Sequence, residues 1–151
     1  MDGRDIAIEI LRRGRRLSIA TVSAEGRPWI ANCWYAHSDF ELLFMSKDFR
    51  RHSRDIMATS LVAATVVGLE NTLGDEVQSV TIEGICASVG PKRIHEAREL
   101  MVTRFPRIKF TEDQFVDPEV PDCLWQIAPT GVVVFDEFYH GAPDEPRLEV
   151  M

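Results

Sequence analysis

The chain has 151 residues, of which 45% are hydrophobic and 27% charged, a composition that is ordinary for a globular domain and excludes wholesale disorder. It carries 17 Lys and Arg against 24 Asp and Glu, so its formal net charge is −7. A protein this acidic is a poor general ligand for nucleic acid or for an anionic membrane surface. We therefore predict one domain over residues 1–151, with no nucleic-acid or membrane partner.

The cysteines and the N-terminus indicate the compartment. Three cysteines form an odd number with no Cys-x-x-Cys pair, which is typical of reduced thiols. The charged N-terminus does not have the pattern of a signal peptide, and the apolar stretch over 56–69 is too short to span a bilayer. We expect a cytoplasmic protein. The histidines and cysteines show no metal-ligand spacing, so no metal site is expected.

The first predicted element is a helix over residues 2–14. Ile6, Ile10 and Leu11 fall on one stripe at helical spacing, and Gly14 stands where a C-terminal glycine cap would. Four arginines surround that glycine, at positions 12, 13, 15 and 16. They are compatible with two interpretations, a solvated helix end or an edge that binds anions.

Three strands follow, over residues 17–23, 27–37 and 40–45, with turns at 24–26 and 38–39. Gly26 supplies a residue that tolerates positive φ, and short turns between strands predict an antiparallel meander. In the second strand, Ile30, Asn32 and Trp34 share one face because side chains alternate along a strand.

A short helix is predicted over residues 46–57, with Ser46 or Asp48 as its cap. Phe49 and Ile56 lie seven residues apart and would face the core, with His52 or Ser53 between them. The β-branched run over 61–67 predicts a strand that is buried on both faces, and residues 71–76 predict a polar loop.

The remaining elements complete a barrel. A long strand over 77–89 contains Gly84, which suggests a bulge, and a helix runs from Gly90-Pro91 to about Phe105. After a charged connection over 106–122, two strands over 123–128 and 131–138 are split at Pro129, and residues 139–151 form a surface tail. The fold predicted is mainly β with peripheral helices, a six- to seven-stranded antiparallel barrel.

The junction between the third strand and the short helix carries the chemistry. A strand that ends at Ser46 just before a helix leaves backbone N–H groups and the positive end of the helix dipole at the strand tip. Four cations stand there against Asp48 alone, namely Lys47, Arg50, Arg51 and Arg54. This arrangement indicates either a site for a phosphorylated small molecule or a solvated helix face. The glycine motifs of nucleotide triphosphate and dinucleotide cradles are not found in the sequence.

An ordered set of sequence segments resembles a known family. The segments are Leu-Ser-Ile-Ala-Thr-Val-Ser-Ala-Glu-Gly-Arg-Pro-Trp at 17–29, Leu-Leu-Phe-Met-Ser-Lys at 42–47, Arg-Arg-His-Ser-Arg-Asp-Ile at 50–56, Val-Ala-Ala-Thr-Val at 62–66 and Val-Thr-Ile-Glu-Gly at 80–84. Over residues 1–104 the chain is similar to the pyridoxamine 5′-phosphate oxidase-related, FMN-binding split-barrel family. It looks most similar to an uncharacterised bacterial branch of that family.

The resemblance implies a set of cofactor contacts. The second strand would follow the isoalloxazine ring, Met45 and Ser46 would meet the ribityl phosphate, and Arg51-His52 would take the place of the family's phosphate-binding Arg-Lys pair. On the long strand either Gln78 or Ser79 would touch the flavin. The full set expected to bind the cofactor is Ile30, Asn32, Cys33, Trp34, Met45, Ser46, Lys47, Arg51, His52, Gln78 and Ser79.

The resemblance also implies a function and a partner. Family members are homodimers with the flavin in the crevice between subunits, so we expect an FMN-dependent oxidoreductase that acts on a small molecule as a dimer. Beyond residue 106 the sequence does not match the substrate-binding segment of true pyridoxamine phosphate oxidases, which leaves the substrate and the catalytic residues unassigned. Two alternatives stay open, a reductase that uses the deazaflavin F420 and a non-enzymatic module that binds flavin or haem.

Overall fold

The computed structural model describes residues 2–68, 77–109, 111, 113–117, 119–137 and 147–151. The helices are α1 (Gly3–Arg13), α2 (Arg51–Ala58), α3 (Ile94–Arg104) and α4 (Asp113–Val116), and a 3₁₀ turn covers Pro91–Arg93. The strands are β1 (Arg16–Val22), β2 (Pro28–Ser38), β3 (Glu41–Lys47), β4 (Leu61–Val67), β5 (Gln78–Ser88), β6 (Asp122–Asp136) and β7 (Arg147–Glu149). None of the described helices is long and apolar enough to cross a membrane.

The strands form a closed antiparallel barrel. Their order is β3-β2-β1-β4-β5-β6-β7, and a further pairing of β3 with β6 closes six of them into a ring. Closure removes the two open edges that a flat six-stranded sheet would present. β7 adds to the outside of this ring by pairing with the second half of β6. The predicted fold class, mainly β with peripheral helices around an antiparallel barrel, is confirmed.

The interior of the barrel is filled by alternate residues of each strand. Leu17 and Ile19 of β1 and Val80 and Ile82 of β5 are at most 1% exposed, while their neighbours along the strand face outward. The α1 helix covers one end of this core with its apolar stripe, and Ile10 is buried there. A second, smaller cluster packs α3 against the outside of β2 and β3. The two faces of the barrel strands therefore have different surroundings.

Residues 122–136 form one continuous strand, so the prediction of two strands split at Pro129 is wrong. The ladder between β5 and β6 is irregular at this point, where Gly84 pairs with Pro129 while Glu83 pairs with Gly131. A proline has no N–H to donate, and a β-bulge is a place where that loss is tolerated. Gly84 is required because a Cβ there would run into the carbonyl oxygen of Ala128. The predicted bulge at Gly84 is confirmed.

The α2 helix begins later than the sequence predicts. Ser46 and Lys47 still belong to β3, and the helix is capped by Arg50, which makes no side-chain capping hydrogen bond, so Ser46 and Asp48 are not the caps. The prediction that Phe49 faces the core is also wrong, since it lies before the helix and is 58% exposed.

The buried face of α2 carries residues that the sequence placed there. Ile56 is buried as predicted, and His52 and Ser53 are both buried rather than only one of them. Adjacent helical positions can both be buried when a helix lies in a groove between strands, as α2 does against β1, β2 and β5.

The bounds of β4 are confirmed, but its predicted burial on both faces is wrong. Val62, Ala64 and Val66 are buried, whereas Leu61 is 65% and Val67 49% exposed. In a closed barrel only one face of each strand points inward, so even a β-branched run alternates between core and surface.

The C-terminal part also departs from prediction. Helix α4 lies within the stretch predicted as a plain connection, and β7 lies within the predicted tail. The predicted loop at 71–76 and much of the tail, residues 139–146, lie outside the described residues. Gly14 ends α1 as predicted, but its φ is −61°, so it is not a left-handed cap. A Cβ at this position would strike Val66, and this close packing requires the glycine.

Candidate functional site

A pocket of about 330 Å³ opens where β2, β3, α2 and the end of α3 meet. It brings together six of the residues that the sequence predicts to bind the cofactor, namely Asn32, Cys33, Trp34, Met45, Ser46 and His52. The remaining wall consists of Arg50, Met101, Phe105 and Ile108. We call it the Ser46–His52 pocket.

The centre of this pocket is a contact between a hydroxyl and an imidazole. The Oγ of Ser46, at the end of β3, lies 2.6 Å from Nε2 of His52, in the first turn of α2. His52 is only 8% exposed, and the Sγ of Cys33 lies 4.0 Å from the same nitrogen. Burial first, and then the charge of Arg50, lower the pKa of His52, against which Asp55 acts to raise it. His52 is therefore a neutral, hydrogen-bonding imidazole at neutral pH.

The first turn of α2 adds backbone donors to this pair. Arg50 supplies no side-chain cap, and the first turn contains no acidic residue. The first N–H groups of any α-helix have no intrahelical acceptor, and they form the positive end of the helix dipole. An acceptor or an anion that reaches Ser46 and His52 would thus also face this helix terminus.

Buried contacts fix α2 against the barrel. The Nε1 of Trp125 donates to Ser53 Oγ over 3.3 Å, and Thr21 Oγ1 donates to Asp55 Oδ2 over 2.8 Å. Both contacts are buried, and they join α2 to β6 and β1 respectively. The terminus of α2 is therefore held in place before any ligand arrives.

The opposite wall is apolar, and sequence reasoning missed most of it. Met101 and Phe105 stand one helical turn apart at the end of α3, and Ile108 follows them. The ring of Phe105 meets Trp34 edge to face, with centroids 5.8 Å apart at 73°. The i, i+4 spacing of Met101 and Phe105 indicates in the sequence that the two side chains share one helix face. Only the packing of α3 against β2 places that face at the pocket.

Several predicted residues lie elsewhere. The guanidinium of Arg51 lies 4.3 Å from the Trp29 ring centroid, its Nε lies 4.0 Å from Asp55 Oδ2, and it lines a neighbouring cleft. Lys47 forms an ion pair with Asp122. Ile30 is 67% exposed on the outer face of β2. These three side chains do not line the Ser46–His52 pocket.

Gln78 and Ser79, the two alternatives for the flavin contact on β5, point to opposite faces of the sheet. Gln78 donates from Nε2 to Asp136 Oδ1 over 3.0 Å, and Asp136 is fully buried. Ser79 pairs with Val67, on the outward-facing side of the ladder. Trp34 also faces outward, so Ser79 shares its face of the sheet and Gln78 does not.

A second cleft, of about 520 Å³, lies on the outer face of the sheet and shares Asn32 and Trp34 with the first. We call it the Arg16 cleft. Ser18 Oγ donates to Asn32 Oδ1 over 2.7 Å, and the guanidinium of Arg16 lies 5.8 Å from the Trp34 ring centroid. Its other lining residues are Gly14, Arg15, Thr65 and Val67.

Cys33, in the wall of the pocket, and Cys86, outside it, are both buried thiols. Burial raises the pKa of Cys33 to about 11 and that of Cys86 to about 12. A thiol with such a pKa is a poor nucleophile at neutral pH. Within the described ranges no group of three or more His, Cys, Asp or Glu side chains is placed to hold a metal ion.

Solved structures share this fold. A haem-binding protein from Mycobacterium smegmatis superposes with a TM-score of 0.76 at 16% identity, covering 89% of this chain and 54% of that protein. An F420 reductase gives 0.63 at 19% identity over 87% of this chain and 97% of its own. An FAD-binding protein from Mesorhizobium loti gives 0.65 at 16% identity, over 89% and 94%. The chain spans about half the length of the haem-binding protein.

These likenesses extend to the fold and not to the sequence. No protein-family model matches the chain, and no curated protein matches its sequence. At identities of 16 to 19%, what is shared with the flavin- and haem-binding structures is the split-barrel architecture.

Proposed function

We propose that the protein is a flavoprotein that binds FMN, with the phosphate of the cofactor at the start of α2. The observation that carries this proposal is the Ser46–His52 pair, 2.6 Å apart, beside a helix N-terminus that has no side-chain cap. With Nε2 of His52 donating to Ser46 Oγ, the Ser46 hydroxyl donates to a phosphate oxygen, and the free N–H groups in the first turn of α2 add donors beside it.

The rest of the pocket fits the remainder of such a cofactor. Met45, Met101, Phe105 and Trp34 give an apolar and aromatic wall, and Arg50 adds a cation at the rim. A volume of about 330 Å³ is within the range of ligand pockets, at its small end. The flavin, when bound, supplies the capacity to accept and pass on electron pairs or single electrons.

Each side chain has a distinct task in this arrangement. Ser46 and His52 hold the phosphate, Asn32 orients the ring by its amide, and Trp34 and Phe105 exclude water from one side of it. Met45 and Cys33 contribute contact surface, and Ser79 faces the same side of the sheet as the ring. Arg51 strengthens the positive field around the phosphate from a greater distance, whereas the charge of Lys47 is paired with Asp122.

We further propose that the protein is an oxidoreductase related to pyridoxamine 5′-phosphate oxidase, with a small-molecule substrate. The same architecture occurs in an F420 reductase and in an FAD-binding protein, so the fold is compatible with flavin-type cofactors of different kinds. A deazaflavin is the second candidate cofactor, because it has the same ring shape and also carries a phosphate.

The outer face of the sheet supports a homodimer. Val22, Ile30, Leu61 and Ile85 lie on this face at one end of the barrel, and each is between 37% and 67% exposed. Ala20 pairs with both Ile30 and Ala63, which makes the apolar surface continuous across β2, β1 and β4. A continuous apolar patch on a monomer marks an interface. A second copy of the chain on this patch would place the cofactor, beside Asn32, at the border between subunits.

The dimer is tested by substitution on that patch. We expect Leu61→Asp to give a monomer by sedimentation equilibrium, since the charge would be buried in the interface. The matched control is Thr81→Asp, on the same face but outside the patch, which leaves the dimer intact. A monomeric wild-type protein, or an unchanged Leu61→Asp dimer, would contradict this interface.

The cofactor is tested by titration of the full chain. We expect FMN to bind one molecule per chain and riboflavin to bind far more weakly, because the main polar contacts address the phosphate. Equal affinities for FMN and riboflavin, or no binding of either, would overturn the proposal. Tighter binding of F420 than of FMN identifies the deazaflavin as the cofactor. Reduction of the bound flavin by NADH or NADPH tests the proposed oxidoreductase activity.

A further inference from the structure

The arginines at the junction between α1 and β1 are not used by the phosphate pocket. Arg15 and Arg16 are exposed and follow Gly14, whose close packing against Val66 brings the chain across the end of the barrel. Both arginines line the Arg16 cleft. The sequence left two interpretations for this run, a solvated helix end or an edge that binds anions, and the surroundings of the two side chains distinguish them.

The two arginines have different local partners. Nη1 of Arg15 donates to the carbonyl oxygens of Arg12, Arg13 and Gly14 over 3.2 to 3.4 Å, so it caps the negative end of α1. The Arg16 guanidinium lies against the Trp34 ring, and no carboxylate in the described part of the chain forms an ion pair with it. Arg16 is therefore placed by an aromatic contact while its charge stays available.

The remaining wall of the cleft is uncharged and rich in hydrogen-bonding groups. The Ser18 hydroxyl donates to Asn32 Oδ1 and the Thr65 hydroxyl donates to the Val80 carbonyl oxygen, which leaves the N–H groups of the Asn32 amide as donors. No acidic side chain of the described ranges lines this cleft. In a chain whose net charge is −7, a cleft with two cations and no carboxylate is a local positive field.

The cleft on the other side of β2 has the opposite character. It has a similar volume, about 600 Å³, but Glu96 and Glu99 of α3 line it together with Arg104. Of these two clefts beside β2, only the Arg16 cleft shares walls with the Ser46–His52 pocket. A molecule in the Arg16 cleft would touch the same Asn32 and Trp34 that border the cofactor.

We propose that the Arg16 cleft is the substrate side of the site and that it binds a small organic anion, a carboxylate or a phosphate, through the guanidinium of Arg16. The role of this anion as the substrate depends on the proposed flavin function, whereas the anion site itself depends only on the residues of the cleft. The planar guanidinium forms paired hydrogen bonds to either type of anion, and the N–H groups of the Asn32 amide supply further donors.

The test uses the full-length, flavin-free protein labelled with ¹⁵N, with benzoate and phenyl phosphate as probes and benzamide as the neutral analogue. We expect both anions to shift the amide resonances of Arg16, Ser18 and Thr65, and benzamide to leave them unchanged. Arg16→Gln should weaken benzoate binding about tenfold, the value of one charge-assisted hydrogen bond. Arg12→Gln removes another exposed charge, outside the cleft, and should leave the affinity unchanged.

Three results would overturn the anion site. They are equal binding of benzamide, an affinity that Arg16→Gln does not reduce, and shifts that centre on His52 rather than on Ser18. A difference between benzoate and phenyl phosphate identifies the preferred anion. In the flavin-loaded protein, benzoate should alter the visible spectrum of the flavin, and an unaltered spectrum with benzoate bound at Arg16 would overturn the assignment to the substrate. If FMN does not bind at all, the flavin function fails while the shifts in the flavin-free protein still decide the anion site.

Discussion

The Ser46–His52 pocket and the Arg16 cleft share Asn32 and Trp34, yet they offer an anion very different environments. In the pocket the donors are a buried imidazole and the terminus of a helix that Trp125 and Asp55 contacts hold in place. In the cleft the main donor is an exposed arginine, positioned by one aromatic ring. The first site is held in place and has a buried imidazole, whereas the second is exposed and screened by solvent.

The two environments suit ligands that differ in how tightly they bind and how readily they exchange. A fixed, partly dry donor set loses little entropy on binding, so it suits a resident cofactor. An exposed cation gives weaker binding that salt reduces, which suits a substrate that must come and go.

The largest effect is expected from a negative charge at the centre of the pocket. Ser46→Asp places a carboxylate beside the proposed phosphate, and such like-charge contact costs several kcal/mol, so FMN affinity should fall by about 100-fold or more. The control, Thr65→Asp, puts the same charge in the Arg16 cleft, where it should abolish benzoate binding and leave FMN affinity unchanged. Titration of each variant with FMN and with benzoate measures these affinities. Equal losses of FMN affinity in the two variants would show that the pocket and the cleft are one site.

The next effect is a pH dependence of cofactor binding. Because burial and Arg50 lower the pKa of His52, the flavin-free protein holds it neutral, whereas a bound phosphate favours the protonated imidazole. FMN affinity should therefore fall as the pH rises, by at most about tenfold per pH unit, until His52 stays neutral in the complex.

The control for this dependence is His52→Gln, which keeps a hydrogen-bonding side chain without a titration. Its FMN affinity should not decline as the pH rises through the neutral range, and any loss at low pH that both proteins share comes from the phosphate itself. An equal decline above neutral pH in the variant and the wild-type protein would exclude His52 as the titrating group.

A smaller effect separates two neighbouring arginines. Arg50 lines the pocket, whereas Arg51 lies against Trp29 and near Asp55. We expect Arg50→Gln to weaken FMN about fivefold, as an exposed ion pair does, and Arg51→Gln to weaken it less, with riboflavin unaffected in both. Fluorescence titration checks the order. A larger loss at Arg51 would support the direct phosphate contact that the sequence resemblance implies.

The smallest effect concerns the stability of the flavin-free protein. Burial lowers the pKa of both His52 and His37, so the folded protein binds protons on these groups less readily than the unfolded chain does. The free energy of unfolding should therefore decline as the pH falls below about 6.5, and His52→Gln should reduce that decline. Urea denaturation at several pH values measures it, and a variant with the wild-type slope would assign the effect to other groups.

Local patterns predicted most of the elements but not how they are joined. The limits of β4 followed from its β-branched run, and the bulge followed from Gly84. The break at Pro129 did not occur, because whether a proline ends a strand depends on the partner that it faces, here the irregular ladder at Gly84. The prediction that β4 is buried on both faces is wrong for a related reason, because which face is buried depends on closure of the barrel.

Half of the candidate site was accessible to sequence reasoning, because it is local. Ser46 and His52 are six residues apart, and a strand that runs into a helix brings such residues together. The apolar wall of Met101, Phe105 and Ile108 begins about fifty residues after His52 along the chain. The residue pattern of α3 does not indicate which strand the helix packs against, so the sequence could not predict this wall.

The sequence by itself determined the strand and helix periodicities, the acidic total and the concentration of cations beside Ser46, because these depend on residue order over a few positions. The closure of β3 onto β6, the burial of His52 and the division of Asn32 and Trp34 between two clefts were decided only by the tertiary structure. The physical reason is that burial and charge pairing depend on surfaces that meet across long stretches of chain, and those surfaces exist only once the barrel has closed.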